Sequence, residues 1–370
     1  MKVLHINCNY MGTPLHQKMV ERLDTVGVES VVFAPVSSLE SAVVKPRENV
    51  IACKCFSKWD RVAFYYKQHK IRKALEDELV ISDFDIMHAY TLFTDGNCAY
   101  QMSKKYGIDY VVAVRNTDVN SFFKWRPHLI GRGVQIMRNA KYVFFLSQPY
   151  KNRVINKFVP SRYRSEIEKK SYVIPNGIDD FWHDNLQNSS CNLIKNPIKL
   201  VYAGRIDANK NILTTQAAMR ILRDKGYDLR LTVVGKVEDQ AVYKQICSDE
   251  YTTCIPAVDK TKLIHTYRDN HIFVMPSFTE TFGLVYVEAI TQGLPVVYSI
   301  GQGFDHQFEE GQVGYHADAY SAESVACAIE KIVKNYDKIV KDLPSKAEAY
   351  NWTRICMQYS ELYSSDCAVR

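Results

Sequence analysis

Two glutamates eight positions apart, Glu280 and Glu288, bracket the stretch of this 370-residue chain with the most chemistry in it, Pro276 to Ala289. The stretch reads as a strand end leading into a helix. Gly283 would let a ligand approach the backbone, and the N–H groups of Phe282, Gly283 and Leu284 at the helix start would form an anion site suited to a phosphate. A carboxylate on either side of that site could accept hydrogen bonds from hydroxyls. A ligand with hydroxyls on both sides of its phosphates, such as a nucleotide sugar, would satisfy all three groups. The spacing alone serves equally well for a solvated first-turn Glu280 beside the helix dipole and a salt-bridged Glu288.

Such residues must be held by something. Short β-branched runs at Val3–Asn7, Val31–Ala34, Ile86–Ala89, Tyr110–Val114 and Tyr142–Leu146 alternate with helix-length stretches and read as buried parallel strands. Lys199–Ala203, Leu231–Val234, Ile272–Met275 and Pro295–Tyr298 form a second set, with a further strand at Thr253–Pro256. The pattern predicts two doubly wound α/β units, joined by the turn-rich, aperiodic residues 175–197. Ligands of such sheets bind beyond the carboxyl ends of the strands. Length agrees with two domains, and 46% apolar with 24% charged residues describes a globular chain. No apolar run reaches the length of a membrane span and no signal peptide is evident, which predicts a cytoplasmic protein. Ten scattered cysteines, with Cys53 and Cys55 the nearest pair, read as buried free thiols. The net charge of +6 is uneven: residues 1–177 hold 27 basic and 16 acidic side chains, so the first half carries the whole excess. That half would suit a phosphate-rich partner: an anionic membrane surface, a lipid-linked acceptor or a nucleic acid.

The stretch from Glu280 to Glu288 resembles the E-x7-E signature of family 4 retaining glycosyltransferases, which have the two-domain GT-B fold. Tyr202 to Asn211 is similar to the family's strand-end G-R-x-x-x-x-K segment, Gly293-Leu294-Pro295-Val296-Val297 to its G-x-P-V-V strand, and Ile174-Pro175-Asn176-Gly177-Ile178-Asp179 to its P-N-G-[IV]-D linker. Trp352 matches an aromatic position of the last helix. The resemblance implies two Rossmann-like domains facing a cleft, an acceptor-binding one over 1–177 and a nucleotide-sugar-binding one over 178–350, with a C-terminal helix over 351–370 crossing back to the first. It assigns Arg205 and Lys210 to the donor diphosphate, Glu280 to the donor sugar, Glu288 to the ribose and Val258 to the base. Positive charge suits the departing diphosphate.

In the first domain, Asp85 to Tyr90 is similar to a strand ending in H-x-H, with His88 at the first position and Tyr90 in place of the second histidine. His88 is a catalytic candidate on that ground and equally a structural strand-end histidine. Tyr90, Asp95 and Arg115 are candidates to approach the reacting carbon. Val114 to Asp118 resembles the R-G-[ST]-D of the polysaccharide-building branch, so Arg115 could bind phosphate or orient an acceptor, or else pair with Asp118 for structure. Gly12 sits in the first strand-to-helix turn, where relatives carry a Gly-Gly pair near the donor phosphates. Asp83-Phe84-Asp85 spells D-x-D but precedes its strand, so no metal and no cofactor are expected. Ser57–Leu79 is a basic, aromatic helix that either lies on an anionic membrane or packs Val62, Tyr66 and Ile71 on the core. No nucleic-acid motif accompanies the charge.

The expected activity is metal-independent, retaining transfer of a hexose from a nucleotide sugar, UDP-linked by preference, to a glycan or lipid-linked hydroxyl in cell-surface polysaccharide assembly. The enzyme would work in the cytoplasm or peripherally at the inner membrane face. The alternatives are a non-catalytic nucleotide-sugar-binding partner of another transferase, and a phosphorylase or sucrose-synthase-like enzyme.

Overall fold

The computed structural model describes residues 1–39, 43–44, 47–187 and 194–365. Residues 188–193 of the expected linker and 366–370 of the expected last helix lie outside them. The chain divides into two compact units: residues 1–146, 150–175 and 352–370, and residues 147–149 with 176–351.

The first unit carries β1 (Lys2–Ile6), β2 (Glu29–Val36), β3 (Val50–Lys54), β4 (Ile86–Ala89), β5 (Tyr110–Val114), β6 (Tyr142–Phe145) and β7 (Ser171–Val173). They form one parallel sheet in the order β3-β2-β1-β4-β5-β6-β7. The central strands are buried on both faces because helices cover both, so apolar runs such as Tyr110–Val114 stand where alternation would expose one face. One face packs Leu4, Met87, Val112 and Val143 under the helices that follow β4 and β5. The other packs Val3, Ile86, Val111 and Phe144 against the C-terminal helix Trp352–Ser364, whose Trp352, Ile355, Cys356, Tyr359 and Tyr363 recur along one side.

The second unit carries β8 (Ile198–Ala203), β9 (Leu229–Gly235), β10 (Thr252–Pro256), β11 (Ile272–Val274), β12 (Val296–Ser299) and β13 (Gly314–Ala317), ordered β10-β9-β8-β11-β12-β13 and again all parallel. Aspartates and a serine start its helices: Asp239, Asp259 and Ser321 each accept a backbone N–H of the first turn. In each sheet the strand order reverses once, between β1 and β4 and between β8 and β11. Those two switch points are where a doubly wound sheet opens a crevice for a ligand.

Two expectations are corrected here. Ser57–Leu79 is not one helix: a short turn at Trp59–Arg61 precedes helix Phe64–Glu78, and the buried face is Phe64, Gln68, Ile71 and Leu75, while Val62 and Tyr66 are exposed. The cysteines are not all free thiols, since Cys247 at the end of helix Gln240–Cys247 is disulfide-bonded to Cys254 of β10. Among the described residues no helix is long and apolar enough to cross a membrane.

Candidate functional site

The switch point of the second unit is built from the turns after β8, β11 and β12. After β8 the chain passes Gly204 and Arg205 into a short turn, Ala208–Lys210, which Asp207 caps by accepting the Lys210 N–H at 3.1 Å. Asn211 then takes a left-handed conformation (φ 58°) before helix Ile212–Asp224, and its buried amide donates to the carbonyls of Pro276 and Ala319. Asn209 fastens the same turn to the next one: its amide donates to the Thr279 carbonyl at 2.9 Å and its Oδ1 accepts from the Thr279 N–H at 3.1 Å. The β8 and β11 turns are thus one hydrogen-bonded body.

That body brings Lys210 and Glu280 together, with Lys210 Nζ 2.6 Å from Glu280 Oε2 and both side chains mostly but not wholly covered. Glu280 is fixed at the backbone too, its N–H donating to Gln302 Oε1 and its carbonyl accepting from the Gly303 N–H. Gly303 has to be glycine, because a Cβ there would lie 1.8 Å from the Thr281 carbonyl oxygen. Three residues after Glu280, Gly283 stands at φ 77° with the Tyr286 ring 2.5 Å from where a Cβ would be, so any side chain would be strained and would clash. It opens helix Leu284–Thr291, whose first turn no side chain caps. Those N–H groups and the positive end of the helix dipole lie at Phe282–Leu284, and such a helix start could receive an anion. Phe282 itself is buried and Leu284 partly so.

Glu288 lies further along the same helix, partly buried, where the Trp182 indole favours its ionised form. Burial, with Asp179 adding, pushes the Glu288 carboxyl up to about 7, and Trp182 and Lys260 pull the other way. Lys260 is held 2.9 Å from Asp179 Oδ1. Arg205 is exposed, its Nη2 3.5 Å from Asp207 Oδ2, so its guanidinium is only loosely held. Val258 is half-buried in the turn after β10. The pattern therefore supplies two cations, two carboxylates and an uncapped helix start in the turns beyond β8 and β11, a set able to hold a diphosphate with hydroxylated groups attached.

The candidates of the first unit have other surroundings. His88 and Tyr90, two positions apart at the end of β4, share a face and are both fully buried. Their rings stack at 4.4 Å, His88 Nδ1 is 2.6 Å from the Tyr363 hydroxyl, and Tyr359 and Phe144 close the rest. Burial drives the His88 pKa well below its ordinary range, so the ring is neutral. The Tyr90 hydroxyl lies 3.2 Å from His5 Nδ1. Neither side chain is open to a ligand, which departs from the expectation of a catalytic His88 and of a Tyr90 that approaches the reacting carbon. Asp95 is also buried, accepting from the Cys8 N–H and the Thr91 hydroxyl, and burial raises it to about 7. Asp118 accepts three backbone N–H groups, those of Leu92, Phe93 and Arg115, and burial raises it to about 6. The bond to Arg115 runs through its backbone; the Arg115 guanidinium donates to the Tyr90 carbonyl at 3.4 Å. Gly12 is exposed at the end of the short turn Tyr10–Gly12. Asp83 precedes β4 and Asp85 accepts the Lys2 N–H at 2.7 Å, so both stand at the amino edge of the sheet.

Sequence reasoning missed Asn209, Asn211, Gln302 and Gly303. Each follows a strand end, so reading the turns after β8 and β12 residue by residue would have raised them.

Two doubly wound parallel-sheet units define a two-domain α/β protein of the GT-B class. Residues 17–180 match the model described as Glycosyltransferase Family 4 and residues 186–350 the one described as Glycosyl transferases group 1. Between them these span most of the chain, which belongs to this family. The D-inositol 3-phosphate glycosyltransferase of Pseudarthrobacter chlorophenolicus is 33% identical over 141 residues, 36% of this chain and 34% of that protein. The capsular polysaccharide biosynthesis glycosyltransferase CapM of Staphylococcus aureus is 25% identical over 205 residues, 53% of each. The alignments thus span about a third to a half of these relatives' length. Anabaena HepE in complex with UDP superposes with a TM-score of 0.73 at 16% identity, covering 99% of this chain and 100% of that one.

Proposed function

We propose that this chain is a retaining glycosyltransferase that moves a hexose from a UDP-linked donor to a hydroxyl of a glycan or lipid-linked acceptor in cell-surface polysaccharide assembly. The observation that carries the reading is the Lys210–Glu280 pair, 2.6 Å apart, with Glu280 four residues before the start of the uncapped helix that bears Glu288. Lys210, Arg205 and the first turn of helix Leu284–Thr291 receive the diphosphate, whose charge grows as the glycosidic bond breaks. Glu280 accepts hydrogen bonds from the donor sugar and Glu288 from the ribose. The acceptor hydroxyl gives its proton to a donor phosphate oxygen on the same face, so the reaction needs neither a protein nucleophile nor a metal.

The relatives' printed activities support the polysaccharide assignment, and HepE's bound UDP supports the nucleotide. A membrane surface as partner is supported by exposed Trp59, Val62, Tyr65, Tyr66 and Trp125, which stand among lysines and arginines in residues 57–79 and 123–126.

Calorimetric titration with UDP-, GDP- and ADP-hexoses tests the reading. A UDP-hexose is expected to bind, to turn over with the donor's anomeric configuration kept in the product, and to do so undiminished in chelator. Binding of no nucleotide sugar would overturn it; inversion, or loss of turnover in chelator, would overturn those parts.

A further inference from the structure

Glu280 is held from two sides. On one, Asn209 clasps the neighbouring Thr279. On the other stands the turn after β12, where Gln302 Oε1 accepts the Glu280 N–H at 3.1 Å and the Gly303 N–H donates to the Glu280 carbonyl at 2.8 Å. A turn aims a side chain only as well as it is itself fixed, and a carboxylate, Asp305, fixes this one. Asp305 Oδ2 accepts the Gly301 N–H at 2.7 Å, and the Asp305 N–H donates to the Gln302 carbonyl at 3.0 Å, so Gln302 and Gly303 sit inside a loop closed on itself at residues 301–305. Phe304 pins that loop from below, buried against the rings of Tyr286 and Tyr298 at 4.7 and 5.1 Å.

Asp305 is only 3% exposed, and a buried carboxylate is tolerated only where donors surround it. Two donors are backbone groups of its own turn. Besides the Gly301 N–H there is that of His306, 3.2 Å from Oδ1, on a residue at φ 61°. Non-glycine residues seldom take that conformation and keep it only where their surroundings impose it. A further donor comes from outside the turn. His316 of β13 places Nδ1 at 3.1 Å from Asp305 Oδ1 and 3.4 Å from Glu310 Oε1. With a carboxylate oxygen at either contact, Nδ1 is the nitrogen that carries the hydrogen. Glu310 is itself anchored, accepting from the Tyr298 hydroxyl at 2.9 Å and from the His316 N–H at 3.2 Å. The chain of contacts runs from β13 through His316, Asp305 and the turn to the backbone of Glu280.

We infer that Asp305 and His316 are positioning residues for Glu280: His316 steadies Asp305, Asp305 closes the turn after β12, and Gln302 and Gly303 of that turn aim Glu280 at the donor. This rests on the reading of Glu280 as the donor-sugar residue, since only then does its aim govern turnover.

The test reads kcat as UDP release from a UDP-hexose, beside UDP affinity by calorimetry, in the intact protein. Asp305→Ala is expected to lose about tenfold in kcat, since misplacing a reacting group by about 1 Å costs up to about 10²-fold, while UDP affinity stays within about twofold. His316→Leu should lose about fivefold, the worth of one hydrogen bond, and His316→Asn should return to within about twofold of the parent, because its Nδ2 stands close to where Nδ1 was and donates likewise. In a Glu280→Ala background, Asp305→Ala should cost less than about twofold more, because nothing is left to aim. A melting temperature near the parent's certifies each variant as folded; should Asp305→Ala not fold, the His316 variants, altered at a partly exposed ring, decide the matter. Full turnover in folded Asp305→Ala or His316→Leu, where Glu280→Ala loses it, would overturn the inference alone. So would UDP affinity falling in step with kcat, an Asn no better than Leu at position 316, or a further tenfold loss in the Glu280→Ala background. Full turnover in Glu280→Ala itself would strike the functional reading and this inference with it.

Discussion

The two switch points begin from the same fold and end in opposite states. Beyond β8 and β11, the polar residues come from turns past the last pleat, and they stay partly open: Lys210 meets Glu280 rather than the core. His88 lies on β4 and Tyr90 one residue past it, still hydrogen-bonded through its backbone to β1, so the C-terminal helix that covers that face covers both. A titratable residue at a strand end is placed by one or two positions of register. Side chains within the hydrogen-bonded ladder face a covering helix, and those of the turns beyond it can face the crevice.

The largest break in this comparison would come from Glu280→Ala. Turnover is expected to drop on the order of 10²-fold or more, as when a well-placed polar group at a charged reaction centre is lost, while UDP still binds. Near-normal turnover would show that the Lys210–Glu280 pair is a surface ion pair and that the two switch points are alike in being structural.

Asp118→Ala should hit stability instead. Its carboxylate ties the start of helix Thr94–Tyr106 to the end of β5 through three backbone N–H groups, all left unpaired on removal. A loss of about 3 kcal/mol in denaturant unfolding is expected, with UDP affinity of the folded fraction unchanged. A loss under about 1 kcal/mol would mean the three bonds are replaced by water.

Glu288 sharpens the comparison through pH. Its carboxyl is raised to about 7 from 4.5, and a ribose hydroxyl prefers to donate to the ionised form, so nucleotide binding should strengthen as pH rises through 7. Affinity for UDP is expected to be about tenfold weaker at pH 6 than at pH 8, and flat in Glu288→Gln. The stability contribution has the opposite sense. A raised carboxyl favours the fold when protonated, so its contribution is complete below about 4.5 and is lost as pH rises through about 7. Glu288→Gln should therefore melt above the parent at pH 8 and alongside it at pH 5. A pH-independent UDP affinity in the parent protein would remove Glu288 from the ribose.

Much of the fold was legible because buried parallel strands announce themselves as apolar runs, and Ile86–Ala89 and Tyr110–Val114 match the structure residue for residue. The edge strands β3, β7 and β13 were not. Val50–Lys54 is a five-residue run in which small Ala52 and Cys53 and a terminal Lys54 follow only two β-branched residues, and Ser171–Val173 is three residues long, too short for a pattern to accumulate. The break at Trp59–Arg61 was hidden because an aromatic and basic run keeps helical spacing whether or not a turn interrupts it. At the candidate site, types and spacing singled out Glu280 and the family resemblance pointed to Lys210, but the contact between them spans 70 positions and depends on Asn209 clasping Thr279, which no local pattern shows. Burial was the least legible property. Nothing local distinguishes a strand-end histidine open to a ligand from one under a helix that arrives 275 residues later.

That histidine supplies the smallest expected effect. In His88→Phe the ring keeps its stack with Tyr90 and its packing on Tyr359, and the Nε2 atom that has no partner in the core is removed. What is lost is the 2.6 Å contact with the Tyr363 hydroxyl, leaving that hydroxyl buried without its acceptor. These terms oppose each other, so stability should move by no more than about 1–2 kcal/mol. Turnover per folded molecule should stay within about twofold, because a ring with no solvent-exposed atom cannot touch a donor. A hundredfold loss in a variant that still melts cooperatively would reverse the contrast between the two switch points, since His88 would then have to reach the reacting atoms by a movement of the C-terminal helix off β4. Measuring the same variant beside Tyr363→Phe separates the cases. A structural pair gives two small stability changes and no kinetic one, whereas a histidine that helix movement uncovers gives a kinetic loss in His88→Phe alone.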